Sequence, residues 1–219
     1  MAELIRGLRP ERVRANLERV RAELATAGRD ADSIEILAAV KYLPVEELGA
    51  LGEARLELLG ENRAQELVAK SDAYPGRFTW DFIGHLQSRK VGALLPRVRY
   101  IHSVATDSAL EQLGKHGTER TRVLIEVNVA GEPGKSGIAP EELTGFIERC
   151  PVEVVGLMTM PPLADDPENS RPYFAALREL AERHGLEHLS MGTSQDYLVA
   201  AQEGATIVRL GTTLYADAS

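Results

Sequence analysis

The sequence predicts an α/β fold: one parallel (β/α)8 barrel, a single domain over residues 1–219. Three observations carry that prediction. Eight short apolar runs alternate with helix-like stretches along the chain, the order that builds parallel strands with crossover helices. The runs are apolar at successive positions, as in strands covered on both faces. The residues closing them are mostly polar or small, which suits a barrel whose strand ends line a pocket. An open doubly wound sheet would usually stop at fewer strands. A 44% apolar composition over 219 residues suffices for one such core.

The elements follow in order. Pro10 suits a first helical turn, and Val13, Leu17, Val20 and Leu24 recur at amphipathic spacing in a helix ending near Gly28. Residues 34–41 form the first strand and close on Lys41, after which Pro44 opens a helix stopped around Gly52. Residues 56–60 are the second strand, with a helix from Glu61 and Asn62 to about Ser71. Residues 78–84 are the third, followed by His85 and a basic helix from Ser88. Tyr100–Val104 is the fourth, before a helix capped by Thr106 or Asp107. Residues 122–129 are the fifth, leading into a glycine-rich loop, 131–137, and a helix after Pro140. Residues 152–160 are the sixth, and a proline-rich loop then enters a helix with Tyr173, Leu177 and Leu180 on one face. Residues 189–192 and 206–211 are the last two strands, flanking a helix from Asp196 to Glu203. Too few residues follow the eighth strand for a full helix, so the N-terminal helix is expected to cover that gap.

A net charge of −8 argues against a nucleic-acid backbone as partner, and no segment has the apolar length of a membrane span. The N-terminal stretch lacks an apolar signal core, and the lone Cys150 cannot close an internal disulfide, so a cytoplasmic location is expected.

The strand ends collect the chemistry: Lys41, Asn62, His85, Ser103, Asn128, Met158, Ser194 and Gly211. Lys41 shares strand parity with Leu37 and Ala39 and is expected against an apolar wall. Desolvation there would favour the neutral amine over the ordinary ammonium, whose pKa is about 10.4. Gly192-Thr193-Ser194 and Gly211-Thr212-Thr213 stand where such barrels place a phosphate site, since glycine lets amides approach an anion. Arg209 falls inside a buried strand and needs an accepting partner, either an acid in the barrel or a ligand phosphate. Other spellings fail. In the P-loop-like stretch 129–136, Val129 takes the first glycine position. His184-Gly185-Leu186-Glu187-His188 breaks its helix at Gly185, and Ser194 lacks the closing glycine of a nucleophile elbow.

Ala39-Val40-Lys41, Gly60-Glu61-Asn62, Phe82-Ile83-Gly84-His85-Leu86-Gln87, Ile101-His102-Ser103, Gly156-Leu157-Met158, Ser190-Met191-Gly192 and Val208-Arg209-Leu210-Gly211-Thr212 together resemble the pyridoxal phosphate homeostasis proteins. The resemblance runs nearly the whole chain. It implies a TIM-type barrel like the alanine racemase N-terminal domain (fold type III), with pyridoxal 5'-phosphate (PLP) held as an imine on Lys41. It further implies phosphate contacts from Ser194, Arg209, Gly211 and Thr212, with Asn62, His85, Ser103 and Met158 lining the pocket. The implied role is vitamin B6 and amino-acid homeostasis without catalytic turnover. The implied protein is a cytoplasmic monomer whose candidate recipients are PLP-dependent apoenzymes. Thr193 departs from the family's usual methionine, Arg89 from its asparagine and Ala216 from a common glycine, and the chain stops at Ser219. A PLP-dependent racemase is the alternative, disfavoured because the chain leaves no residues for a second domain. A cofactor-free aldolase using Lys41 is a third possibility.

Overall fold

The computed structural model describes residues 4–28, 30 and 33–216. Eight parallel strands close into a barrel in chain order: β1 (Glu35–Ala39), β2 (Leu58–Glu61), β3 (Thr79–Phe82), β4 (Tyr100–Val104), β5 (Arg122–Glu126), β6 (Glu153–Met158), β7 (His188–Thr193) and β8 (Ile207–Leu210). β8 returns to β1 with Leu37 opposite Arg209, which removes both sheet edges. Helices α1 (Pro10–Thr26), α2 (Leu48–Glu53), α3 (Ala64–Ala73), α4 (Val91–Leu94), α5 (Asp107–His116), α6 (Leu143–Arg149), α7 (Arg171–His184), α8 (Tyr197–Gln202) and α9 (Thr212–Tyr215) surround it. No described helix is long and apolar enough to cross a membrane.

The local signals act as expected. Thr106 caps α5 through its hydroxyl and the Ala109 amide, and Gly185 ends α7 at φ 62°. α1 does cover the gap after β8. It packs against α9, and the buried Asn16 amide donates to the carbonyls of Leu214 and Ala216 (both 3.1 Å). The strands are shorter than the apolar runs because the ends of those runs turn into the loops. Glu61 accordingly ends β2, and α3 starts only at Ala64.

Side chains on the two strand faces form two distinct interiors. Ile36, Ala38, Val40 and Leu59 point outward into the apolar layer beneath the helices. Inside the barrel a bonded polar column accompanies buried Leu37, Leu124 and Ile207. Arg99 Nη1 donates to Glu35 (2.6 Å), and its Nη2 and Nε clasp Asp81 (2.7 and 3.1 Å). Asp81 Oδ2 lies 3.1 Å from His102 Nε2, and His102 Nδ1 lies 2.8 Å from Ser190 Oγ. Arg209 Nη1 completes the column at 2.7 Å from that Oγ. Since Asp81 can only accept, the histidine proton belongs on Nε2. Ser190 then donates to Nδ1 and accepts from Arg209.

Burial pushes the His102 imidazole below its ordinary value, against the pull of Asp81. Burial works to raise the Asp81 carboxyl, but bonds from His102 and Arg99 outweigh it and hold the acid low. Both groups give the same sign. The unfolded chain binds protons that the folded chain excludes, so each contribution is complete above the unfolded pKa and is lost as pH falls below it. Stability in denaturant is therefore expected to decline below about pH 6.5, by at most about 1.4 kcal/mol per pH unit for one histidine. His102→Gln should flatten that first limb and leave the decline near the Asp81 range. An unchanged profile would show that His102 titrates freely when folded.

Candidate functional site

All eight strands, or the turns directly after them, deliver residues to one cavity of about 670 Å3 at the C-terminal end of the barrel. All nine residues expected from sequence line it: Lys41, Asn62, His85, Ser103, Met158, Ser194, Arg209, Gly211 and Thr212. Their environments differ from expectation in several places.

Lys41 is the first correction. β1 ends at Ala39, and a turn closed by the Leu43 amide on the Val40 carbonyl (3.0 Å) carries Lys41 out of the strand. Its side chain is exposed in the cavity mouth, with Nζ 4.9 Å from the Tyr42 ring centroid, and does not lie against an apolar wall. The buried lysine is Lys70 on α3, only 1% exposed. Its ammonium donates to the Val40 carbonyl (2.8 Å) and to Glu61 (2.5 Å), whose other oxygen accepts from the Asn62 and Arg63 amides. The peptide immediately before Lys41 is thus anchored by a buried ion pair.

The far wall is equally braced. Gly84 packs so closely on the Asn62 carbonyl that a Cβ would sit 1.9 Å from it, and Ser103 Oγ donates to the Gly84 carbonyl (2.5 Å). The Ser103 hydroxyl is therefore structural in this arrangement. His85 is exposed and reaches Ser136 of the glycine-rich loop at 3.3 Å. Asn128 leaves the cavity altogether, because β5 ends at Glu126 and the Asn128 side chain clasps Glu132.

The two loops proposed for an anion do meet. Ser194 Oγ accepts from the amides of Gly211 (3.2 Å) and Thr213 (3.3 Å). Asp196 fixes the approach by accepting from the Thr193 amide and hydroxyl and from Ser170. Arg209 is buried as expected, but its partners are neutral. Nη1 and Nη2 donate to the carbonyls of Ser190 (2.6 Å) and Thr159 (2.9 Å) as well as to Ser190 Oγ and Met160 Sδ. Carbonyl oxygens of β7 and of the turn after β6 engage the guanidinium fork. Burial brings Arg209 down to about 10, opposed by Asp196 and Glu126, and it stays charged at neutral pH.

Two buried polar atoms among the described residues have no partner, Asn62 Oδ1 and the Tyr215 hydroxyl, and both residues line this cavity. Burial, and secondarily Glu61, raise the Tyr215 phenol and keep it protonated. Such orphaned atoms are costly unless a ligand meets them.

A family model described as alanine racemase, N-terminal domain, matches residues 9–219. A pyridoxal phosphate homeostasis protein of Aquifex aeolicus is 41% identical over 221 residues, covering 94% of this chain and 97% of the relative. The chain belongs to the pyridoxal phosphate homeostasis protein family. The human pyridoxal phosphate homeostasis protein is 30% identical over 94% of this chain and 85% of its own length. PipY of Synechococcus elongatus, solved with PLP bound, has a TM-score of 0.78 at 28% identity and covers 93% of this chain and 99% of its own. Alanine racemase of Corynebacterium glutamicum shares the fold, with a TM-score of 0.70 at 19% identity over 98% of this chain and 63% of that one.

Sequence reading missed Tyr42, Glu126 and Tyr215 in the cavity of this family member. Glu126 left a signal, a lone acid inside Ile125-Glu126-Val127, but the strand was drawn past it to Val129. The Thr193 and Arg89 departures now have surroundings. The Thr193 hydroxyl serves Asp196, and Arg89 reaches Gln87 on the exposed rim at 3.5 Å. Ala216 takes the extended backbone after α9, and the stop at Ser219 lies outside the described residues.

The Lys70–Glu61 pair yields a test. Glu61→Leu leaves a buried ammonium without its counter-charge and should cost about 3–5 kcal/mol in urea unfolding. Replacing both members by leucine should cost less than that single change. Additive losses would show that the pair is not what burial penalises here.

Proposed function

We propose that this chain is a PLP carrier that holds the cofactor covalently at Lys41 and contributes to vitamin B6 homeostasis without turning over a substrate. The observation that carries this reading is the convergence, in one cavity, of a reachable amine with a hydroxyl–amide cluster suited to phosphate. PLP supplies an aldehyde able to condense with an amine, and every other role falls to the chain's own residues. Lys41 would hold the group through its amine, condensation with the aldehyde releasing one water. Ser194, Gly211, Thr212 and the Tyr215 hydroxyl would hold the phosphate, and Asn62 and His85 would meet the ring substituents.

The fit is supported by the orphaned Tyr215 and Asn62 atoms, which a phosphorylated pyridine could satisfy. Arg209, already fastened to Ser190 and Thr159, supports the floor of the cavity more than it grips phosphate. The exposure of Lys41 in the mouth suits hand-over, since an amine of a recipient apoenzyme can reach the same carbon. The relatives named above are called homeostasis proteins, which accords with carriage over catalysis. A free Cys150 suits a reducing cytosol, and the reading places the protein there as a monomer.

Borohydride treatment of the PLP-loaded protein should fix the cofactor on Lys41, read by peptide mass mapping. An adduct at Lys70, Lys90, Lys115 or Lys135 in its place would sink the assignment.

Tyr215→Phe separates the phosphate from the ring. It removes an unpartnered hydroxyl, so the unloaded protein should be no less stable. Affinity for PLP should fall by about 1.5–3 kcal/mol, the value of a bond to a charged acceptor, with that for unphosphorylated pyridoxal little changed. Equal weakening toward both ligands would place the phenol elsewhere in the site. Arg209→Gln should instead weaken both ligands together and lower fold stability.

A further inference from the structure

Glu126 is the one cavity acid whose carboxylate has no hydrogen bond or ion pair among the described residues. It closes β5 on the barrel-interior face, beside Met158 of β6, and is 8% exposed. What remains accessible of it opens into the cavity. Apart from Lys41, the other charged groups of the lining are bonded to neighbours. Arg209 of β8 attracts Glu126 without bonding it, because its Nη1 and Nη2 are fastened to Ser190, Thr159 and Met160. Asp196, after β7, carries like charge and is bonded to Thr193 and Ser170. Lys41 stands in the mouth after β1, His85 meets Ser136 after β3, and Lys135 lies 3.6 Å from Glu132. β4 offers Ser103, whose hydroxyl is taken by Gly84. Burial raises the Glu126 acid above its ordinary 4.5, and Arg209 only partly opposes this.

A carboxylate so placed shares a cavity of about 670 Å3 with whatever ligand enters. Like charges in a poorly screened space repel strongly, and protonation relieves the repulsion. We propose that Glu126 is a proton-linked residue of the ligand cavity: an anionic, phosphate-bearing aldehyde enters together with a proton taken from solvent by the Glu126 carboxylate, and leaves as that proton is lost. This rests on the reading of the cavity as a PLP site. The step moves only a proton, from solvent to a carboxylate oxygen, and alters no bond of the ligand. Because the protonated form binds better, affinity falls as pH rises through the Glu126 window, which lies above 4.5. One proton limits the slope to about tenfold per pH unit.

Lys41 and the phosphate also titrate, so the readout is the difference between wild type and Glu126→Gln. The substitution keeps the shape, removes the charge and breaks no hydrogen bond. PLP binding is measured by calorimetry in buffers of different ionisation heat and by absorbance across pH. The expected result is that wild type takes up more protons per PLP than Glu126→Gln. The variant should also bind increasingly tighter than wild type as pH rises, severalfold or more at the alkaline end, while the two converge at the acid end. Glu126→Asp should retain the excess uptake. Equal proton numbers with parallel pH curves would overturn the inference while leaving the PLP reading intact. Failure of wild type to bind PLP at all would overturn both.

Discussion

The burial of the Arg209 guanidinium is the constraint around which the site is arranged. Arginine cannot shed its proton at any ordinary pH, so its place inside a closed barrel requires acceptors. The Ser190 and Thr159 carbonyls supply them, which ties β8 to β7 and to the turn after β6. Ser190 Oγ accepts from Arg209 and directs its own proton to His102, which accepts that proton only while neutral. Asp81 fixes the tautomer, and the permanent charge of Arg99 fixes Asp81. The orientation of a group at the cavity floor thus depends on a bonded sequence reaching toward the opposite end of the barrel. Two residues beyond Arg209, Gly211 begins the amide cluster on Ser194, so the same anchor sets the position of that loop.

Two lysines in this chain show opposite solutions to the cost of a charge. Lys70 is buried and therefore paired, and its rigidity holds the Val40 peptide. Lys41, the next residue along, is exposed in the mouth, with its Nζ 4.9 Å from the Tyr42 ring centroid. An amine open to a ligand gains from access, whereas a brace gains from confinement. The fixed lysine directs the reachable one through a single carbonyl oxygen.

The cavity is correspondingly polarised between floor and rim. The floor, with Arg209, Glu126 and Met158, is buried and sits on strands whose register is set by the barrel. The rim is built from turns and loops, including the exposed apolar Met160 and Leu163. Such a division sets rigid strand groups at the floor against loop residues at the mouth.

What the sequence determined by itself is the barrel, because strands apolar on both faces leave that mark at successive positions wherever they are covered on both sides. It also placed Lys41, Asn62, His85, Ser194 and Gly211 at or just past strand ends, and all five reach the cavity. The tertiary structure decided the state of each group. That Lys41 is exposed and Lys70 buried depends on a turn at Val40 and on an acid at the end of another strand. That Glu126, and not Asn128, lines the cavity depends on where β5 stops pairing with β6. The neutral partners of Arg209 come from residues 19 and 50 positions away. Periodicity records which face a side chain takes. It does not record what stands opposite, because that partner is brought there only by closure of the barrel.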